Sequence, residues 1–99
     1  MYQKLYQPEI VRQKSEQEIF EHFSARHDLS VREKEVLRLV IGEQSNAEIA
    51  AALFVSESTV KFHVHNLLKK TGCKTRVELV GCYKAELYKQ EKGSVIITS

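Results

Sequence analysis

The chain has 99 residues, 42% of them hydrophobic and 28% charged, with a net charge of +2, four Gly and one Pro. This suits one small domain near the lower limit for a self-sufficient core and excludes a second. No apolar run approaches the roughly 18 residues that cross a bilayer, and Met1-Tyr2-Gln3-Lys4-Leu5-Tyr6 lacks the apolar stretch of a secretion signal, so a cytoplasmic chain without membrane contact is expected.

Residues 1–27 read as an N-terminal helix or linker. Pro8 suits the first turn of a helix, and Ile19, Phe20 and Phe23 form an apolar stripe that either packs on the rest of the domain or recruits a partner. From Ser30 onward helix starts are marked in the sequence. Ser30-Val31-Arg32-Glu33, Ser45-Asn46-Ala47-Glu48 and Thr75-Arg76-Val77-Glu78 fit the capping box, in which two side chains satisfy each other's free backbone N–H groups. Ser56 marks a fourth start, with Val55 and Val60 placed to form a hydrophobic staple around it. These marks predict helices over Val31–Ile41, Asn46–Leu53, Glu57–Lys70 and Arg76–Tyr88. Gly42 and Gly72 stand where a left-handed residue commonly ends a helix.

Only Phe54-Val55-Ser56 separates the second of these helices from the third, so the two must cross steeply. Val36, Leu37, Val40 and Ile41 form the core stripe of the first, and Ile49, Ala50 and Leu53 that of the second. Ala50 permits close approach and Val55 can plug the turn, which is the pattern of a helix-turn-helix. The expected fold is all-α, a four-helix bundle over residues 28–90 containing a helix-turn-helix, with an additional N-terminal helix. Residues 91–99 read as a tail after the last helix, with room for a short extended stretch. Cys73 and Cys82 are too few for a metal site and are expected to stay reduced as small apolar residues.

Charge is unevenly divided. Residues 1–56 carry −2, residues 57–76 carry +4 and residues 77–99 are neutral. A compact basic patch either attracts a polyanion or is merely a solvated face. Helical geometry sharpens the choice. Val60, Val64, Leu67 and Leu68 fall at offsets zero, four, seven and eight and should point into the bundle. The opposite face carries Ser58, Lys61, Phe62, His65 and Lys69, with Thr59 and His63 at its edges and Asn66 nearby. Lys61 can donate to guanine O6 or N7, His65 and Asn66 to bases or phosphates, and the Phe62 ring can meet a thymine methyl or stand as an isolated surface aromatic.

Enzymatic readings fare poorly. His63 and His65 lie roughly 200° apart around the helix and cannot hold one metal ion. There is no Gly-rich phosphate loop, and Ser56 and Ser58 read as a cap and a surface hydroxyl. No cofactor is expected.

Leu29-Ser30-Val31-Arg32-Glu33, Ser45-Asn46-Ala47-Glu48-Ile49-Ala50 and Thr59-Val60-Lys61-Phe62-His63-Val64 together resemble the LuxR-type (NarL/GerE) DNA-binding domain. Lys69-Lys70-Thr71-Gly72-Cys73-Lys74-Thr75-Arg76-Val77-Glu78 is similar to that family's turn and fourth helix, so the resemblance covers roughly residues 28–88. It implies a bacterial transcriptional regulator whose third helix enters the major groove, with Lys61, Phe62 and His65 at the bases and Thr59, His63, Lys69 and Lys70 near phosphates. Asn46, Ser56, Ser58, Val60 and Asn66 complete the expected DNA-binding set.

Two departures stand out. The family usually places a glycine at the position of Glu43, one residue after Gly42, which leaves open a shift of that bend by one residue. A leucine is typical at Thr71, where a buried hydroxyl needs a partner or costs about 1–3 kcal/mol. Rival readings are a sigma-factor promoter reader and a basic helical module that docks an acidic protein. The fourth helix also presents Glu78, Gly81, Cys82 and Ala85 at offsets zero, three, four and seven, a small-residue strip for a second copy, while Val77, Val80, Tyr83, Lys84 and Leu87 are expected on the bundle side. The expected partners are duplex DNA, a second copy on DNA through this strip, and RNA polymerase.

Overall fold

A hydroxyl side chain starts every helix among the described residues. In the computed structural model the backbone is described for residues 15–98 and the side chains for residues 15–89. The helices are α1 (Glu16–Arg26), α2 (Val31–Ile41), α3 (Asn46–Leu53), α4 (Glu57–Thr71) and α5 (Arg76–Thr98). Ser15, Ser30 and Ser45 close full capping boxes with Glu18, Glu33 and Glu48. Ser56 Oγ accepts from Thr59 N–H at 3.1 Å. At α5 only half of the expected box forms: Thr75 Oγ1 accepts from Glu78 N–H, but the Glu78 carboxylate turns to the Lys74 N–H.

Four helix starts lie where the caps predict them, and α1 adds a fifth start through Ser15-Glu16-Gln17-Glu18, a capping box of the same pattern. The expectation for Pro8 lies outside the described residues. The last helix departs from the prediction, because its backbone stays helical to Thr98 through the stretch read as a tail. Lys89-Gln90-Glu91-Lys92 are strong helix formers, no proline follows, and Gly93 alone weakens a helix by only about 1 kcal/mol without ending it.

All five helices share one core. Val36, Leu37, Val40, Ile49, Val60, Leu67, Leu79 and Tyr83 are buried there, with Ala50 where α3 approaches its neighbours. The α1 stripe packs on this bundle: Phe20 and Phe23 meet the Tyr83 ring edge-on, with centroids 6.1 and 5.3 Å apart. Arg26 pairs with Glu86 at 3.0 Å across the same seam.

The joint after α2 corrects the reading of Gly42. Gly42 has an ordinary φ of −74°, and Glu43 takes the left-handed conformation at φ 62°. The bend therefore stays at the family's glycine position, and a glutamate bears the strain. Phe54 is left-handed as well (φ 59°) and almost fully exposed at the turn between α3 and α4. Val55 packs against the core beneath it, its N–H on the Ala50 carbonyl at 3.0 Å. Thr71 is only half-buried, and its hydroxyl donates to the Leu67 carbonyl at 2.8 Å, so it carries no desolvation cost.

Candidate nucleic-acid interface

The α4 helix separates its two faces cleanly. Val60 and Leu67 are fully buried, and Val64 and Leu68 are partly buried against the core. Ser58, Lys61, Phe62, His65 and Lys69 are exposed on the other side, with Thr59, His63 and Asn66 half-buried at its margins. Phe62 is 61% exposed, its ring edge-on to His63 with centroids 5.6 Å apart. His63 Nδ1 is enclosed without a hydrogen-bond partner among the described residues. The Ser56, Ser58 and Thr59 hydroxyls join at the start of the helix, with Ser56 Oγ 3.1 Å from Ser58 Oγ and 2.9 Å from Thr59 Oγ1.

Three residues in the expected DNA-binding set are placed differently. Val60, the fourth residue of α4, is fully buried, and its side chain cannot touch a ligand. Lys70 reaches back into the domain, where Nζ donates to Glu33 Oε1 at 2.8 Å and to the Asp28 carbonyl at 2.9 Å. Burial alone would raise the Glu33 carboxyl, but hydrogen bonds from Lys70 and the Ser30 N–H outweigh it and hold the group below its ordinary value. Asn46 is half-buried, and its side-chain oxygen accepts from the Arg76 guanidinium, which also donates to the Gln44 carbonyl.

These attachments change the electrostatics. Of the five cations in residues 57–76, Lys70 and Arg76 have internal hydrogen-bond partners. Among the described residues the side chains of Lys61, His65, Lys69 and Lys74 have no hydrogen bond or ion pair. Phosphate-acceptor or base-acceptor groups could reach them without displacing an internal contact.

On α5 the bundle side is rotated from the expectation. Leu79, Tyr83 and Glu86 are buried, with Val80 and Leu87 flanking, while Val77 is 82% exposed and Lys84 faces solvent. Tyr83 sets this face, because residues four before and three after it share its side of a helix. Glu78, Gly81, Cys82 and Ala85 are all exposed, and a Cβ added at Gly81 would meet nothing within 4 Å. The strip is thus not required for packing inside the bundle. Partial burial, and then the neighbouring Cys73, raise the Cys82 thiol above its ordinary value, which makes it a poor nucleophile.

A short helix joined by a three-residue turn to a second helix, whose outward face is basic and exposed, defines a helix-turn-helix DNA-binding domain. The family model described as bacterial regulatory proteins, luxR family, matches residues 27–82, more than half of the chain, and the chain belongs to this family of DNA-binding transcriptional regulators, which is non-enzymatic. It is 44% identical over 68 residues to the uncharacterized transcriptional regulatory protein YhcZ of Bacillus subtilis, covering 61% of this chain and 32% of YhcZ. It is 50% identical over 52 residues to the CsgBAC operon transcriptional regulatory protein of Escherichia coli, covering 52% of this chain and 24% of that one. Spore germination protein GerE of Bacillus subtilis is 40% identical over 58 residues, 59% of this chain and 78% of GerE. The chain thus spans a third or less of YhcZ and the CsgBAC regulator but most of GerE. No solved structure matches it. Among the described residues no helix is long and apolar enough to cross a membrane.

Proposed function

We propose that α4 enters the major groove of duplex DNA and reads sequence through Lys61, Phe62 and His65, while Ser56, Ser58, Thr59, His63, Asn66, Lys69 and Asn46 lie toward the flanking sugar-phosphate backbone. The observation that carries this reading is the exposed Lys61–Phe62–His65–Lys69 face, whose three cationic or imidazole side chains have no internal partner among the described residues, on a helix whose other side is fixed in the core. Lys61 offers a donor to guanine acceptors, and the exposed Phe62 ring offers apolar contact to a thymine methyl. Two copies pair on DNA through Glu78, Gly81, Cys82 and Ala85, which implies an inverted repeat with centres about 10 base pairs apart. So small an interface leaves the free chain largely monomeric. The regulator acts in the cytoplasm on promoter DNA, and RNA polymerase is its further protein partner.

Selection from a random duplex pool supplies the preferred site. On that site a salt titration should have a steep log–log slope, of about six to ten phosphate contacts for two copies at roughly −0.9 each. Lys61→Ala should cost about 1–3 kcal/mol on the preferred site and relax the preference at one position. A slope near zero, or equal losses on preferred and random DNA for Lys61→Ala, would refute this arrangement.

A further inference from the structure

We propose that Arg76 is a positioning residue that makes Asn46 a dedicated hydrogen-bond donor to a backbone phosphate. The inference rests on the reading of Asn46 as a phosphate contact and says what makes it one. Asn46 is the first residue of α3 and Arg76 the first of α5, thirty positions apart in sequence. The Arg76 fork donates with one arm to Asn46 Oδ1 and with the other to the Gln44 carbonyl.

A guanidinium has donors and no acceptor, so it can hold only the oxygen end of an amide. The Asn46 NH₂ group must then occupy the opposite end, and among the described residues no acceptor sits on it. A phosphate oxygen only accepts. The end of Asn46 left open by Arg76 is therefore the one an anionic backbone requires, whereas an untethered amide could turn its oxygen toward the phosphate and repel it. The second arm acts on the same site through the backbone. It fixes Gln44 just ahead of Ser45, whose capping box with Glu48 starts α3. Because the bridge spans from α5 to α3, it also couples the proposed pairing helix to the first helix of the DNA-binding motif.

The test is a double-mutant cycle of Asn46→Ala and Arg76→Met, read as affinity for the selected duplex and for random duplex over a salt series, with a thermal melt of each variant. Loss of the Arg76 charge weakens binding in both backgrounds and cancels in the cycle. Arg76→Met should weaken binding about tenfold with Asn46 present and about threefold in the Asn46→Ala background, equally on both duplexes. Equal losses in the two backgrounds would overturn the positioning role. Asn46→Ala with unchanged affinity and salt slope would instead overturn the phosphate contact itself. Asn46→Asp provides a variant that keeps the fold, since a carboxylate pairs with Arg76 at least as well as an amide. It should melt no lower than the parent yet bind all duplexes about tenfold more weakly. Undiminished binding by Asn46→Asp would also overturn the proposal.

Discussion

Lys70 Nζ lies 2.8 Å from Glu33 Oε1, and Glu33 in turn closes the capping box at the start of α2. One cation on α4 thereby holds the joint between α1 and α2, while Lys69 beside it points to solvent. The two lysines should respond oppositely to replacement. Lys70→Met should lower stability by about 1–2 kcal/mol and leave DNA affinity within about twofold. Lys69→Ala should leave the melting temperature unchanged and weaken all duplexes alike. Melting curves and DNA titrations of the two variants check this, and a DNA defect in a fully stable Lys70→Met would place that ammonium at the phosphates instead.

Acid should loosen the same seams. The Arg26 hydrogen bond, against a smaller opposing effect of burial, lowers the Glu86 carboxyl, and Glu33 is lowered as described above. A carboxyl lowered on folding contributes stability that is fully present above its unfolded value near 4.3 and is lost as pH falls through the folded value. The melting midpoint should be flat above about pH 5 and fall below about pH 4, and a Glu33→Gln, Glu86→Gln double variant should fall less steeply. An identical acid dependence in parent and double variant would rule out these two groups as its source.

At the α2–α3 joint the strain falls on Glu43, with φ 62°, rather than on Gly42, with φ −74°. Its carboxylate gains little in return, since Lys84 lies 3.4 Å away with both side chains exposed. Glu43→Gly should therefore stabilise the domain by about 0.5–1 kcal/mol, because glycine adopts this conformation without steric cost. Gly42→Ala should be neutral or mildly stabilising, as its Cβ would come no closer than 3.5 Å to the Leu39 carbonyl oxygen. A lower melting point for Glu43→Gly would contradict this account of the bend.

Local chemistry makes most of the architecture legible in the sequence. Caps at Ser30, Ser45, Ser56 and Thr75 locate four helices, and the apolar offsets from Val60 to Leu68 orient α4, because these interactions act within one or two helical turns. Residues answering to distant partners are not legible. Lys70 turns inward toward a carboxylate 37 positions away, and Glu86 is buried because Arg26 arrives from α1, 60 positions earlier. Arg76 is bound by Asn46 for the same reason. Leu79 does not stand out in the sequence, because Val77 makes an equally plausible apolar side for α5 until Tyr83 meets Phe23. The Ser15–Glu18 cap is a different case: it has the same local pattern as the others and is fully legible, although the expectation for residues 1–27 does not use it.

Gly81 offers a probe of the pairing proposal that leaves the fold alone. The site is exposed, has open space around it and is helical, so Gly81→Arg should fold at least as well as the parent. On a duplex with two half-sites it should abolish cooperative occupation while leaving single half-site affinity intact. Unchanged cooperativity would exclude this strip as the contact between copies.

The α1 helix ends just before the family match begins at residue 27, yet its Ile19, Phe20 and Phe23 are buried, with Phe20 and Phe23 against Tyr83. A fragment that starts at residue 27 and keeps α5 through Tyr83 would uncover the Tyr83 ring that Phe20 and Phe23 otherwise cover. Freshly uncovered aromatic surface is adhesive. Such a fragment would aggregate or associate through the cut face, and a self-association assay on it would measure the excision rather than regulator pairing. Any expressed form used to count copies on DNA should begin at or before Ser15, the residue that caps α1.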